Sequence, residues 1–455
     1  MVDSLYLLSF FKWLNNDVLA IPSAFLFFGA SIFFTIKTKF LQLRVMPLFI
    51  RVIRTHRSST KQEQNKNQRQ DNNGQTDSSF GNAINPLHAL FTALGTSIGV
   101  GNIVGPGIAI VAGGPGALFW LVFYLVCASA TKFAEVMFAL HTRTKNNNNE
   151  IIGGPMNYLK SVHSFLAYWY AVIMAVLLIG FSAVQSNTLS SIYAIEHIPT
   201  WVTGFILAIV TAITIHGGVK RIGLVASKVV PFMFVLYVLF SLFILGKNPV
   251  ALWDAVKLVF GSILQPAAPI GGFLGATVFQ AMHSGMLRGV FISESGIGTA
   301  SMAHAMADVK NHSDQGVLAM GSTVADILLS VISGLLTLVT GIWMRGGLSN
   351  TLVYEVFKIH TPVAGHYILL VSISLFVFTT VIGNSFNGLQ NFRFLSKGVG
   401  IAGYKLLLLS FIFIGAILPV PLVWEIMDTI LVLAAVPNLL GLMYLAHKYP
   451  DVLKV

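Results

Sequence analysis

Stretches of about 20 mostly apolar residues, the length a helix needs to cross roughly 30 Å of hydrocarbon, recur along almost the whole chain. They lie at 18–36, 86–112, 116–140, 165–195, 200–216, 224–246, 270–300, 317–343, 364–388, 401–418 and 421–446, eleven in all. No water-soluble fold suits them, because the chain has too little charge to face water. Of 455 residues, 28 are Lys or Arg and 17 are Asp or Glu, so 10% are charged. A soluble domain carries roughly a quarter. The sequence therefore specifies an all-α integral membrane protein of about eleven transmembrane helices.

The formal net charge of +11 does not point to nucleic acid, since the basic residues stand singly between apolar runs and form no stripe. The single cysteine, Cys127, excludes an intrachain disulfide framework and a cysteine-built metal cluster. The start, MVDSLYLLSFFKWLNNDV, has no basic n-region or small-residue cleavage site and reads as a retained amphipathic segment. With the segment before residue 86 on the cytoplasmic side, cytoplasmic connections hold 22 of the 28 basic residues and external ones hold 5. The positive-inside rule then puts the N-terminus outside and the C-terminus in the cytoplasm of a plasma (inner) membrane.

The glycines give the domain organisation. Residues 58–84 are polar and low in complexity and read as a disordered cytoplasmic linker, and the run Asn146 to Asn149 as a solvated loop. The linker separates residues 1–57, which hold one extra helix, from two groups of five spans at 85–246 and 247–446, with a tail at 447–455. Each group opens on a Gly-interrupted stretch, GTSIGVGNIVGPG at 95–107 and SGMLRGVFISESGIG at 284–298. Lipid tolerates a broken helix only where it lines a protein cavity. One such motif alone reads as close helix packing. Two at matching positions of two halves read as an inverted-repeat secondary transporter. Carbonyls at the breaks suit a dehydrated cation, and free amides at half-helix N-termini suit a carboxylate. GVGNIVG lacks the βαβ setting of a dinucleotide site.

The chain resembles the alanine or glycine:cation symporter family, the sodium:alanine symporters. The resemblance rests on GVGNIVG (99–105), GGPGALFW (113–120), TKFAEVMFAL (131–140), GGPMNYL (153–159), GGVKRIG (217–223), VPFMF (230–234), GMLRGVFISESGIGTASMAHA (285–305), LFVFTTVIG (375–383) and VPNLLGL (436–442). It implies a leucine-transporter-like five-plus-five inverted repeat with one extra N-terminal helix. It also implies a sodium-coupled symporter of small neutral amino acids that works by alternating access as a monomer, with Na+ as coupling ion and no organic cofactor. By the same resemblance, substrate would meet Thr96, Ser97, Gly99, Val100, Gly101, Asn102, Gln185, Gly285 and Asn384. Sodium would meet carbonyls at Gly95 and Ile98 and hydroxyls at Thr379 and Thr380. Each has a plainer reading: threonines bond the preceding turn, Asn102 caps its half-helix, and Gln185 glues helices together. The chain departs from the family at Asn384, where a bulky aromatic is usual, and at Ser293 and Ser295. These changes leave the amino acid open, with serine or threonine admitted beside alanine and glycine.

Ionisable residues at membrane depth are functional suspects. Lys132 and Glu135 are spaced to pair on one helix face, as a structural pair or a gate near the cytoplasmic end of their span. Arg288 and Glu294 suit an internal gate, and Glu425 and Asp428 suit the N-terminus of the last helix. Proton coupling, the mechanistic alternative, favours a buried carboxylate or histidine without a basic neighbour, and Asp326 is the candidate. No HExxH, nucleophile elbow or Cys/His set points to an enzyme, and no repeated filter points to a channel. A non-transporting sensor of the same fold would share all these features.

Overall fold

The computed structural model describes residues 2–55, 84–145, 151–216, 218–264, 277–309, 311–345, 350–361 and 363–454. Except for Ile84, the expected linker lies outside these residues, as does the run Asn146 to Asn149.

Five elements precede the linker: α1 (Val2–Trp13), a π-helical turn (Leu14–Val18), α2 (Ala20–Lys37), a 3-10 turn (Leu41–Arg44) and α3 (45–55). Next come α4 (Pro86–Ser97), α5 (Val100–Gly113), α6 (Gly116–His141), a two-residue-strand hairpin, α7 (Pro155–Val162), α8 (Ser164–Ile195), α9 (Thr200–Ile215), α10 (Gly218–Gly246) and α11 (Pro249–Gly261). The remainder is α12 (Val278–Ser293), α13 (Thr299–Ala305), α14 (His312–Val339), α15 (Leu352–His360), α16 (Val363–Ser396), α17 (Ile401–Gly415) and α18 (Val420–Lys448). Among the described residues, eight stretches are long and apolar enough to cross a membrane, counting Pro86–Gly113 as one, and α9 and α17 are shorter apolar helices. Of the span expected at 270–300, residues 270–276 lie outside the described residues and the remainder is divided between α12 and α13.

Local chemistry sets these boundaries. The Asn85 side chain accepts from Leu87 N at 2.9 Å ahead of Pro86, Thr277 Oγ1 accepts from Gln280 N at 3.1 Å, and Asn311 Oδ1 accepts from Ser313 N at 3.3 Å. These are side-chain N-caps, with proline at a first helical position where its missing N–H costs nothing.

Two helices are interrupted in the buried centre. Between α4 and α5, Ile98 and Gly99 are extended (φ −82° and −134°). Between α12 and α13, Glu294 (φ 55°), Gly296 (φ 98°) and Gly298 (φ 83°) are left-handed. The second break therefore begins nine residues beyond Gly285, at the residue after Ser293. Gly285, expected near it, lies inside α12 against α6, where a Cβ would come 2.5 Å from Ala117 O and 2.7 Å from Leu121 N. Its role is close helix packing.

The broken helices lie side by side, α4 against α13 and α5 against α12, while α6 packs on α12 and α14. Their ends are stitched together, because Ile84 N donates to Met306 O at 3.0 Å and Asp308 N donates to Ile84 O at 2.9 Å. α16 packs on α8 and α10 and also against α4.

Beyond the end of α8, Glu196 Oε1 accepts from Lys358 Nζ and from Tyr354 Oη of α15, both at 2.6 Å. These donors hold its carboxyl below the ordinary 4.5. A lowered folded-state pKa contributes stability that is complete above the ordinary value and lost as pH falls through the lower, folded one. Such a solvent-facing pair contributes about 1 kcal/mol or less. In detergent melts, the gap in Tm between wild type and Glu196→Gln is therefore expected to be small at pH 7 and to close as pH falls below about 4.5. A gap that is unchanged at acid pH would remove the ion pair as its cause.

Candidate functional site

In an unbroken helix, the carbonyls of Gly95 and Ile98 would accept from Gly99 N and Asn102 N. Here Gly99 N donates to Asn102 Oδ1 at 3.2 Å, and Asn102 N donates to Gly99 O at 3.2 Å. Both carbonyls are thus released from the ladder, and Thr380 of α16 meets them. Its Oγ1 lies 3.2 Å from Gly95 O and 3.1 Å from Ile98 O. Three hard oxygens thus meet at Gly95, Ile98 and Thr380, three of the four positions that the resemblance implies for sodium. Thr379 points elsewhere, its hydroxyl donating to Leu375 O at 3.0 Å and Phe376 O at 3.1 Å in its own helix. Thr96 likewise donates to Ala93 O at 2.6 Å.

Only glycine fits position 99, since a Cβ would lie 2.6 Å from Thr380 Oγ1 and 3.0 Å from Gln185 Nε2. Gln185 of α8 accepts from Val100 N at 3.1 Å, so it holds one free amide of the α5 N-terminus. Gly101 faces the Phe291 ring, 2.8 Å from where its Cβ would be. Phe291 sits between Phe181 and Trp424, at centroid distances of 4.7 and 4.8 Å, and the Arg288 guanidinium lies 4.8 Å over Trp424. Arg288 pairs with Asp428 of α18. These groups form a roof over the first break. Beyond it is a cavity of about 90 Å³ whose lining includes Asn15, His283, Asn350 and Glu425.

Below Thr380 on the same face of α16 are Asn384, Asn387 and Asn391. All three are buried, and neither amide atom of Asn384 or Asn387 has a partner among the described residues. The Ser97 hydroxyl is also buried without one. A buried unpaired polar atom costs about 1–3 kcal/mol, so such clusters need an explanation beyond packing.

The charged residues are not paired as expected. Lys132 Nζ lies 3.7 Å from Asp326 Oδ2 of α14, with both side chains fully buried, and does not pair with Glu135. Asp326 therefore has a basic neighbour, unlike the isolated acid that proton coupling favours. Its other oxygen accepts from Asn102 Nδ2 at 3.1 Å, completing a chain from Lys132 to the capped break. Glu135 serves the second break, accepting from Gly296 N at 2.9 Å and Asn438 Nδ2 at 2.8 Å. Asn438 also donates to Gly296 O at 2.8 Å, and Tyr170 Oη donates to Ile297 O at 2.6 Å.

The proposed Arg288–Glu294 gate does not form, because Glu294 accepts from Thr299 while Arg288 is held by Asp428. The cytoplasmic total of 22 basic residues includes Arg288, read as part of a connection at 287–315. Arg288 is buried in α12 ahead of the break and belongs to no loop. Asp428 is the partner of Arg288 and not a helix-end charge, while Glu425 accepts from Asn15 Nδ2 at 2.8 Å. Sequence reasoning missed Asn438, Phe291 and Trp424. For Asn438 a signal existed, a lone amide after proline inside an apolar span.

Two helices interrupted side by side in an apolar multi-pass bundle, with carbonyls and a hydroxyl turned onto one point, define the secondary-transporter fold. Among solved structures, MhsT in complex with L-phenylalanine has the same fold, at TM-score 0.57 and 14% identity over 79% of this chain and 88% of that one. The chain belongs to the sodium:alanine symporter family, whose family model matches residues 5–455. It is 33% identical to the sodium/alanine symporter AgcS of Methanococcus maripaludis over 92% of this chain and 91% of that protein. It is 30% identical to the probable sodium/glutamine symporter GlnT of Bacillus subtilis over 93% of this chain and 85% of that protein.

Removing one partner of a buried ion pair costs about 3–5 kcal/mol, whereas replacing both by apolar groups is often neutral. Asp326→Asn is therefore expected to lower Tm strongly in detergent, and Lys132→Met/Asp326→Leu to recover most of the loss. A double variant no more stable than the single would show that the pair does not act as a unit.

Proposed function

We propose that the protein is a sodium-coupled symporter of small neutral amino acids that works by alternating access. The observation that carries this reading is the meeting of Gly95 O, Ile98 O and Thr380 Oγ1, with both carbonyls freed by the break. A sodium ion is cargo here, held by these oxygens and by others from water or substrate. Thr379 joins only if its hydroxyl leaves its own helical turn. Binding draws α4 and α16 together at the break and so orders the amides that receive the amino acid. Reciprocal coupling then makes each ligand raise the affinity of the other.

The substrate carboxylate is assigned to the N-terminus of α5, at Val100 to Asn102, where the helix dipole favours an anion. Gln185 positions Val100 N and is displaced by, or shares, the incoming carboxylate. The free amides of Asn384 and Asn387 suit a side chain that is itself polar. This favours widening the range from alanine and glycine towards serine, threonine or, as the name of one relative has it, glutamine. Arg288, Asp428, Trp424 and Phe291 serve as the outer gate. In this reading the chain crosses the membrane eleven times, with inverted repeats at 85–246 and 247–446. The N-terminus is external, the C-terminus cytoplasmic, and a monomer suffices.

The test is uptake of labelled amino acids into proteoliposomes under an inward sodium gradient, with choline as control. Uptake is expected only with sodium. Thr380→Ala is expected to raise the half-saturating sodium concentration about tenfold or more, the loss of one hydrogen-bond-strength contact to a charged group. Gly99→Ala is expected to abolish transport. Uptake that persists in choline sinks sodium coupling, and binding without net flux identifies a sensor.

A further inference from the structure

A second cavity, of about 1120 Å³, lies away from both breaks, where α2 ends, α14 begins and the turn Pro450–Leu453 folds back. Its lining carries Lys37, Lys39, Arg44, Arg51 and Lys454 but one carboxylate, Asp314. Lys454 is already paired with Asp451 at 2.5 Å, and Arg44 gives Nη2 to Lys39 O at 3.4 Å. Lys39 and Arg51 have no carboxylate partner among the described residues.

The surrounding backbone concentrates this charge. Lys39 and Phe40 are both left-handed (φ 54° and 55°), a conformation uncommon for residues other than glycine. They turn the chain at the end of α2 so that Lys37, Lys39 and Arg44 border one space. Along the segment that follows, Arg44, Leu48, Arg51 and Thr55 recur at helical spacing and line the cavity. Leu43, Met46 and Ile50 recur on another face and are 83%, 44% and 43% exposed. A cationic hollow thus adjoins an exposed apolar strip at the level where a membrane helix ends.

We propose that this cavity binds the headgroup of an anionic phospholipid. Its phosphate is held by Lys39 and Arg51, and its acyl chains lie along Leu43, Met46 and Ile50. Basic pockets between helices at a membrane surface are suited to such headgroups. A soluble anion would leave the apolar strip unused. The neighbouring segment 56–83 is a poor alternative occupant, as it contains four basic and three acidic residues and brings no net negative charge. A lipid here would tie α2 and α3 to the start of α14, the helix that carries Asp326. The proposal uses the cytoplasmic placement of this face given above, but its test does not depend on orientation or on transport.

The full-length protein in neutral detergent is titrated with dioleoylphosphatidylglycerol, dioleoylphosphatidylcholine or glycerol 3-phosphate, and bound molecules are counted by native mass spectrometry. Wild type is expected to retain the phosphatidylglycerol about tenfold more tightly than the phosphatidylcholine. Lys39→Gln/Arg51→Gln is expected to erase that preference. Lys247→Gln/Lys257→Gln, which removes two charges elsewhere, is expected to keep it. All four side chains are exposed, and Tm checks that both variants fold; if the double variant does not, Arg51→Gln alone is read in the same way. Equal retention of the two lipids, or equal losses in the two double variants, overturns the proposal. Glycerol 3-phosphate binding as tightly as phosphatidylglycerol also overturns it, in favour of a soluble anion.

Discussion

A backbone amide in hydrocarbon must have a partner, and that requirement governs the centre of this protein. Opening a helix at Ile98–Gly99 releases carbonyls and amides that cannot be left facing lipid. Nearby side chains, from the broken helix itself and from its neighbours, supply their partners. Asn102 turns back to Gly99 N, Gln185 reaches Val100 N, and Thr380 covers Gly95 O and Ile98 O. The second opening is closed in the same way by Glu135, Asn438 and Tyr170. A dehydrated ion and a carboxylate need the same kinds of group, so in the proposed reading they would take over atoms that now repair the backbone.

One helix supports both repairs. From α6, Lys132 acts through Asp326 and Asn102 on the first break, and Glu135 acts directly on the second. Three residues apart, the two charges lie about one turn apart on the helix, yet each is committed to a different partner. Such buried charges are tolerated only with their partners in place. The spacing of α4–α5 and α12–α13 is thereby tied to the position of α6.

Much of this was legible in the sequence, and the reasons differ by element. Apolar runs long enough to cross a membrane reflect a solvent constraint that acts on every residue, so α2, α6, α8, α14 and α18 stand near the stretches read for them. The paired Gly-rich segments marked both interrupted helices for the same reason. Thr380 and its carbonyls were reached through a motif, and the structure separates it from Thr379 because adjacent helical residues point in different directions. The charge pairs were misread because spacing reports only partners within one helix. Lys132 with Asp326, and Arg288 with Asp428, join helices far apart in sequence. Gly285 was misplaced because a packing glycine and a hinge glycine are the same letter. They differ only in what lies opposite, here the backbone of α6.

The short parallel bridge between Ile84 and Ala307 has a mechanical consequence. It joins the near end of α4 to the far end of α13, so these two half-helices form a single flap with a crease at each break. Swinging α4 alone would rupture both backbone hydrogen bonds of the bridge, whereas tilting the pair together would keep them. A motion that preserves the bridge therefore carries the two half-helices as a two-stave shutter and not as a single swinging rod.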